Sequence, residues 1–499
     1  MKEELLKEFD AWVMKMSAYR MALSLIGVDK QTLAPKDGAP YRDERSAFLA
    51  GELFSVETDP HMAEVRRELL ADGTISAEKR REIELLDKEI GHILVVPKDV
   101  FVQYAQLQAH AYEVWHQAKD AGDYSLFEPV LKQVIEASKK MYAYRNSGLP
   151  MYDQMLDDYE PGMTMEIYDR FFDRVRERLV PLIRKVVEAE QIDDSFLKQP
   201  YPVEKQKEFM NRYLLPYLGF DASWGYQNET EHPFTDIICE NDIRVTTKYL
   251  ENNVVSAILS TVHEVGHGYY GHDVAPEYDG TVFNYGISSG MHESQSRLLE
   301  NYLGRTLPFW EENYPKLQSV FPDQLGNVSV EEFVRAINVG RPSLVRTEAD
   351  ELTYPLHILI RYEIEKGLFN GTITAEHLDE TWDAYYEKYL GVKAPDARQG
   401  ILQDVHWSDG SFGYFPTYAL GSAFAAQFVR AMRRDIDVDE LLRTGRFAEI
   451  IGWLKEHIHR YGCRYSADEI MRMATGEPFD PDCYLDYLEE KYTALYNLK

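Results

Sequence analysis

The run Ser260-Thr261-Val262-His263-Glu264-Val265-Gly266-His267 sets two histidines four residues apart, with a glutamate directly after the first. On a helix such histidines lie about 40° apart around the axis and about 6 Å apart along it. Both imidazoles then reach one Zn²⁺, which binds His nitrogen at roughly 2.0–2.1 Å. Glu264 faces the water that such an ion activates, so it serves as a general base rather than a ligand. This H-E-x-x-H spacing is the chemistry of metal-assisted hydrolysis. The bland alternative is two core histidines beside a surface glutamate, and the rest of the sequence has to decide.

A zinc hydrolase needs a third protein ligand. One subclass takes it from a His six residues beyond the second His, with a Gly at three. Those positions hold Asp273 and Tyr270, so that subclass is excluded. His272, five residues after His267, points about 140° away around the helix. The remaining option is a carboxylate on a second helix. Met291-His292-Glu293-Ser294-Gln295-Ser296-Arg297-Leu298-Leu299-Glu300-Asn301 is helix-like and follows a glycine-containing stretch from Asn284 to Gly290. Glu293 stands 26 residues after His267, which allows one loop and a returning helix. It is the favoured ligand, being near the start of its helix. Glu300, two turns on and on nearly the same face, and the adjacent His292 compete with it.

The elements that must position these residues are mostly amphipathic helices. Leu5, Phe9, Trp12, Met16 and Tyr19 share one face of a first helix. Phe171, Val175, Leu179, Leu182, Ile183 and Val186 line another, with Thr164 as its N-cap and a kink expected at Pro181. After Asp437 the stripe Leu441, Leu442, Phe447, Ile450, Ile451 and Leu454 is helical again. Strand signals are scarce. Thr235–Cys239 and Ile243–Thr247 flank a short polar turn and read as a hairpin. No Pro/Gly/Ser-rich linker divides the chain. It reads as one mainly α unit with a small sheet near its middle, built as two lobes.

Composition narrows the partners. Among 499 residues, 84 acidic side chains oppose 54 Lys and Arg, for a formal charge of −30. That argues against a nucleic-acid backbone or an anionic membrane as partner. Three scattered cysteines form no CxxC pair and suit a reducing compartment. The acidic start MKEELLKEF does not fit a signal peptide, and no apolar run reaches the length of a membrane span. A cytoplasmic protein is expected.

With His263, Glu264, His267 and Glu293 set out, the chain resembles the carboxypeptidase Taq family of zinc metallocarboxypeptidases. Six motifs of that family occur in order. H-P-F is His232-Pro233-Phe234. D-x-R-x-T is Asp242, Arg244 and Thr246. H-E-x-x-H is followed by H-E-S-Q-S-R from His292 to Arg297. R-x-x-A-D runs from Arg346 to Asp350, and G-x-x-Q-D-x-H-W runs from Gly400 through Gln403, Asp404 and His406 to Trp407. Thr32–Lys36 and Arg45 also fit, whereas Val28-Asp29 stands where the family usually has Trp-Asp.

The resemblance implies a single peptidase unit over 1–499, with N-terminal helices at about 1–90 over a deep groove and the motif-bearing core at about 230–420. It implies one Zn²⁺ per chain (Co²⁺ being able to replace it), and hydrolysis of single residues from peptides with a free C-terminus, with broad specificity. A cytoplasmic homodimer is implied as well. Arg346, which heads a motif, is the first candidate for the substrate's α-carboxylate, because a guanidinium fork matches two oxygens. Arg244 is second, although it also suits a structural pair with Asp242 two residues away on one strand face. His406, Tyr414 and Tyr418 are the candidates for stabilising the oxyanion.

Overall fold

A computed structural model describes residues 2–499. The chain is mainly helical, with one three-stranded sheet among the described residues. No described helix is long and apolar enough to cross a membrane.

Four N-terminal helices, Lys2–Thr32, Ala39–Glu57, Pro60–Ala71 and Ala77–Leu94, build a small core of their own. The first buries Phe9, Trp12, Val13 and Met16, as its heptad-like spacing requires. The next two turns of chain direction are fixed by capping side chains: Asp59 accepts from His61 N and Ser76 from Lys79 N. This core closes over Val274, Ala275, Tyr278, Val282 and Phe283, a segment contributed from far along the chain. Nearly all the other buried apolar side chains, from Ala111 to Tyr496, form one much larger core.

Helix Met165–Glu188 buries the predicted stripe and runs through Pro181 as one element. Thr164 occupies its N-cap position, yet its hydroxyl makes no capping bond. Asp153 of the preceding helix accepts from Met165 N at 2.7 Å instead, and a carboxylate suits the positive helix end better than a hydroxyl. The C-terminal stripe is likewise buried but is split into Val438–Arg443 and Phe447–His457. Gly445, at φ 68°, makes the break.

The sheet holds β1 (Gly225–Glu229), β2 (Thr235–Cys239) and β3 (Asp242–Thr247) in the order β1-β3-β2. The hairpin of β2 and β3 is the expected one, with Thr235 opposite Val245 and Asp236 opposite Arg244. β1 adds a parallel partner to β3 that the sequence did not announce, since Gly-Tyr-Gln-Asn-Glu carries little β-propensity.

Helix Ser289–Arg297 packs between Val254–His272, which lies against β2 and β3, and Phe415–Asp435. Two glycines permit the contact. A Cβ at Gly266 would sit 2.7 Å from the Gln295 carbonyl oxygen, and one at Gly421 would sit 2.6 Å from Glu293 Cγ. Real side chains do not tolerate such distances, so the backbones meet only because both residues lack a Cβ.

Candidate metal centre

Helix Val254–His272 starts from Asn253, whose side chain accepts from Ser256 N, and carries His263, Glu264 and His267. Helix Ser289–Arg297 starts from Ser288, whose hydroxyl accepts from Met291 N, and carries Glu293 in its second turn. A buried carboxylate reinforces that second start. Glu160 accepts from Ser288 Oγ at 2.7 Å and from Gly290 N at 2.8 Å. Burial pushes its carboxyl up to about 7 against the pull of those donors.

The helices bring the three predicted ligands together. Glu293 Oε2 lies 3.6 Å from His263 Nε2 and 3.5 Å from His267 Nε2. Corners of a tetrahedral Zn²⁺ shell at 2.0–2.1 Å are roughly 3.3 Å apart, so this spacing suits one ion. The second nitrogen of each ring is held elsewhere. His263 Nδ1 pairs with Glu300 Oε2 at 2.9 Å, and His267 Nδ1 with His292 Nδ1 at 2.6 Å. Both Nε2 atoms are thereby turned to the same point, the arrangement that orients metal-binding imidazoles. Two imidazole nitrogens and a carboxylate oxygen form a donor set suited to Zn²⁺ or Co²⁺. The residues present fit a divalent ion, and His263, His267 and Glu293 are the potential metal cluster among the described residues.

The competitors for the third place fall into supporting positions. Glu300 lies on a π-helical turn, Leu298–Leu303, that continues the Glu293 helix. Besides His263, it accepts from Arg297 Nη1 at 3.2 Å and Arg305 Nη2 at 3.1 Å. Arg297 Nε also donates to Glu293 Oε1 at 2.7 Å. Burial works to raise both glutamates, but these arginines and the histidines overcome it and hold them well below the usual range. His292 is pushed down to about 3, by burial first and then by His267, so it is neutral. His272 faces away, stacked on Trp224 and bonded to the Glu240 carbonyl.

Glu264 is buried, and Thr235 Oγ1 donates to its Oε2 at 2.6 Å. The start of β2 thus fixes the candidate general base. The H-P-F and D-x-R-x-T motifs prove to be one unit. Thr246 Oγ1 receives Phe234 N at 2.8 Å, while Thr230 Oγ1 bonds the His232 carbonyl and Thr246 Oγ1, each at 2.8 Å. His232 itself is exposed, and Pro233 and Phe234 lead into β2 beside Thr235. Arg244 forms a bidentate pair with Asp242 on β3, the structural use foreseen for it.

On the other side of Glu293 lie the remaining motifs. Arg346 is buried. Its Nε and Nη2 donate to Asp404 Oδ1 at 3.1 and 2.8 Å, and its Nη1 donates to Tyr354 Oη at 3.1 Å. Asp404 also takes Arg361 Nε at 2.7 Å on its other oxygen. Burial would raise the Asp404 carboxyl, but the two guanidiniums hold it far below the usual range. Gln403 Oε1 accepts from Arg346 N and Arg361 Nη2, both at 2.8 Å. Asp350 is a capping residue: it accepts from the backbone N of Arg341, Leu352 and Thr353. Trp407 Nε1 donates to Glu365 at 2.7 Å.

His406, Tyr414 and Tyr418 form one aromatic cluster. The His406 ring stacks on Tyr414 at 5.5 Å, and its Nε2 lies 3.4 Å from Tyr418 Oη. Its Nδ1 is buried without a partner among the described residues. Burial, aided by Arg346 and Arg361, pushes His406 down to about 4, so the ring is neutral near pH 7. Burial and the Glu293 charge raise both tyrosines. The ring of Tyr354, 4.5 Å from the Arg297 guanidinium, joins this side to the metal side.

Sequence reasoning did not find Thr235, Tyr354, Arg361, Glu160 or Glu365. For Arg297 a signal existed, since Glu293 and Arg297 are four apart on one helix face. For the others, contacts between distant segments carry the role, and no local spacing reports them. The same holds for His459, which is fully buried and bridges Asp273 Oδ2 at 3.3 Å and Gln295 Oε1 at 3.0 Å.

Comparison with known proteins agrees with this geometry. Residues 8–492 match the model of the carboxypeptidase Taq (M32) metallopeptidases. The chain is 40% identical to carboxypeptidase 1 of Bacillus subtilis, over 99% of both chains. It is 36% identical to thermostable carboxypeptidase 1 of Thermus thermophilus, over 96% of this chain and 97% of that one. The crystal structure of the M32 carboxypeptidase from Deinococcus radiodurans superposes with a TM-score of 0.96 at 31% identity, covering 99% of this chain and 100% of the other.

Proposed function

The chain belongs to the carboxypeptidase Taq (M32) family and is a metal-dependent carboxypeptidase, and from that premise we propose that it removes single residues from peptide C-termini with Glu264 as general base and acid. The observation that carries this reading is the convergence of His263 Nε2 and His267 Nε2 on Glu293 Oε2, with Glu264 buried beside them. These three residues hold one Zn²⁺ per chain, and Co²⁺ is able to use the same donors. When bound, the ion lowers the pKa of water toward about 7 and polarises the scissile carbonyl.

The chain's own residues do the rest. Thr235 occupies Oε2 of Glu264, which assigns the proton transfer to Oε1. That oxygen takes the proton of the attacking water and returns it to the leaving amine. His406, neutral and with one nitrogen unpartnered among the described residues, and the hydroxyls of Tyr414 and Tyr418 donate to the developing oxyanion. Arg346 receives the substrate's α-carboxylate through the two N–H groups that Asp404 and Tyr354 leave over. The Arg346–Asp404–Arg361 triad carries net positive charge, which supports recognition of a free C-terminus.

Residues 1–499 act as one catalytic unit in this reading. Ser24 Oγ of the first helix donates to Asp236 Oδ1 of β2 at 2.6 Å, one residue from Thr235. The N-terminal core also packs on Val274–Phe283, the segment between the two ligand-bearing helices. Both contacts support N-terminal helices that cover the substrate groove.

The test is a mass-spectrometric time course on a peptide pool with free and amidated C-termini. Shortening only from free C-termini, abolished by a chelator and restored by Zn²⁺ or Co²⁺, is the expected result. Internal cuts, or release from amidated peptides, would overturn the C-terminal reading while leaving the metal site intact.

A further inference from the structure

Glu365 lies on helix Tyr354–Asn370 and is fully buried. Its carboxylate accepts three bonds. Trp407 Nε1 donates to Oε1 at 2.7 Å, while Gly413 N and Tyr152 Oη each donate to Oε2 at 2.8 Å. No cation pairs with it directly among the described residues. Arg361, whose charge acts on it from a distance, spends its donors on Asp404, Gln403, Tyr386 and the His357 carbonyl. A buried carboxylate without a counter-ion is costly, and a helix needing only to fill space would carry an apolar residue there.

The donors explain the cost. Trp407 directly follows His406, and Gly413 directly precedes Tyr414. Between them the chain doubles back: Ser411 N bonds the His406 carbonyl at 2.9 Å and Phe412 N the Gly410 carbonyl at 2.8 Å. Gly410 and Gly413 have φ of 75° and 92°, a backbone that ordinary side chains resist. One carboxylate thus grips both feet of a tightly turned loop, and the residues beside those feet stack ring on ring.

We propose that Glu365 is the positioning residue of the 406–414 loop, holding His406 and Tyr414 in the orientation that meets the transition state. This rests on the reading of those two residues as oxyanion donors. Burial pushes the Glu365 carboxyl up to about 7 against the pull of its three donors, in keeping with an uncompensated charge. A glutamine has the same shape but one acceptor fewer. Whichever way its amide turns, the NH₂ faces either the Trp407 N–H or the Gly413 N–H, and one foot comes loose.

The experiment compares E365Q, W407F and the E365Q/W407F double variant on an N-blocked dipeptide, measuring kcat, KM and metal affinity by chelator competition. E365Q should lose about 10- to 100-fold in kcat, as expected when a reacting group shifts by an ångström. KM should stay within about threefold and metal affinity within about twofold, because neither the metal ligands nor Arg346 is touched. In the double variant the amide no longer opposes an indole N–H, so its kcat should exceed that of E365Q. Simple additivity, or a kcat for E365Q within about threefold of the parent, would overturn the proposal. So would a loss that follows metal loss alone. Should E365Q fail to fold, W407F decides by itself: it frees one foot and should lower kcat about 3- to 10-fold at constant KM, and a parental kcat would overturn the proposal. H406A and Y414F, run alongside, keep the two ideas apart. Parental kcat in those variants would sink the oxyanion reading, whereas their loss with an unaffected E365Q would sink only the positioning role.

Discussion

The two flanks of Glu293 are built from the same material and arranged differently. On the metal flank, Glu293 and Glu300 are matched by Arg297 and Arg305, all within thirteen consecutive residues of a helix and the turn that follows it. On the other, the proposed substrate flank, one carboxylate, Asp404, is shared by Arg346 and Arg361, which come from segments about 40 to 60 residues away. The first network balances its own charge and leaves two imidazole nitrogens free for a divalent cation. The second keeps positive charge in reserve, which suits an incoming carboxylate. On the proposed reading, charge matching suits a scaffold for a cation, and charge left over suits a receptor for an anion.

The largest effect is expected from Glu264→Gln, which leaves both networks whole. It should retain the metal and lose about 10²- to 10⁴-fold in kcat, the scale for removing a general base. Metal content by atomic spectroscopy and kcat on one peptide check both halves. Activity equal to the parent would return Glu264 to a structural role beside Thr235.

Asp404→Asn strikes the substrate flank where its charge is least balanced. Two buried guanidiniums lose their shared partner, and about 3–5 kcal/mol of stability should go with it. Because the folded-state pKa of Asp404 is depressed, its contribution is present above the ordinary Asp value near 3.9 and disappears only as pH falls below it. Denaturant unfolding of parent and variant should therefore differ by a constant amount from pH 5 to 8 and converge in acid. A gap that opens or closes near neutrality would contradict the assignment.

Glu300→Gln probes the metal flank in the same way. His263 keeps a neighbour but loses its ionic acceptor, and such partners are worth about 10- to 100-fold in metal affinity. Chelator competition reads the change. An unaltered affinity would mean that Arg297 and Arg305, not His263, are the reason for Glu300.

What the sequence disclosed follows the same division. His263, Glu264 and His267 were legible because one helix fixes their spacing, and Glu293 because its helix starts close by. The amphipathic helices and the β2–β3 hairpin were legible for the same local reasons. Arg346 and His406 could be picked out only through motif resemblance, and no local pattern shows that Asp404 holds Arg346 or that Glu365 holds the loop beside His406. β1 was invisible because its pairing with β3 depends on the tertiary position of Gly225–Glu229 and on Gln227 reaching Thr261 Oγ1 at 2.7 Å. Thr164 stands at the N-cap position that the sequence points to, but the side chain that accepts from the helix start, Asp153, lies on another helix and no local spacing reports it.

The smallest effect expected is also the one that reaches farthest. Ser24 and Asp236 join the N-terminal helices to β2 by one half-buried hydrogen bond, and such a bond is worth about 1 kcal/mol. Ser24→Ala should leave the large core, the metal affinity and kcat with short peptides nearly unchanged. If the N-terminal helices cover the groove, the loosened contact should show instead in KM for longer peptides, whose upstream residues lie under that cover. The helices that carry the two flanks of Glu293 pack in the large core, whereas the helix of Ser24 packs in the small one. A change confined to long substrates would separate the part of the molecule that performs the chemistry from the part that admits the chain. A uniform loss of kcat would show that β2, through Thr235 and Glu264, transmits strain from the N-terminal helices into the site itself.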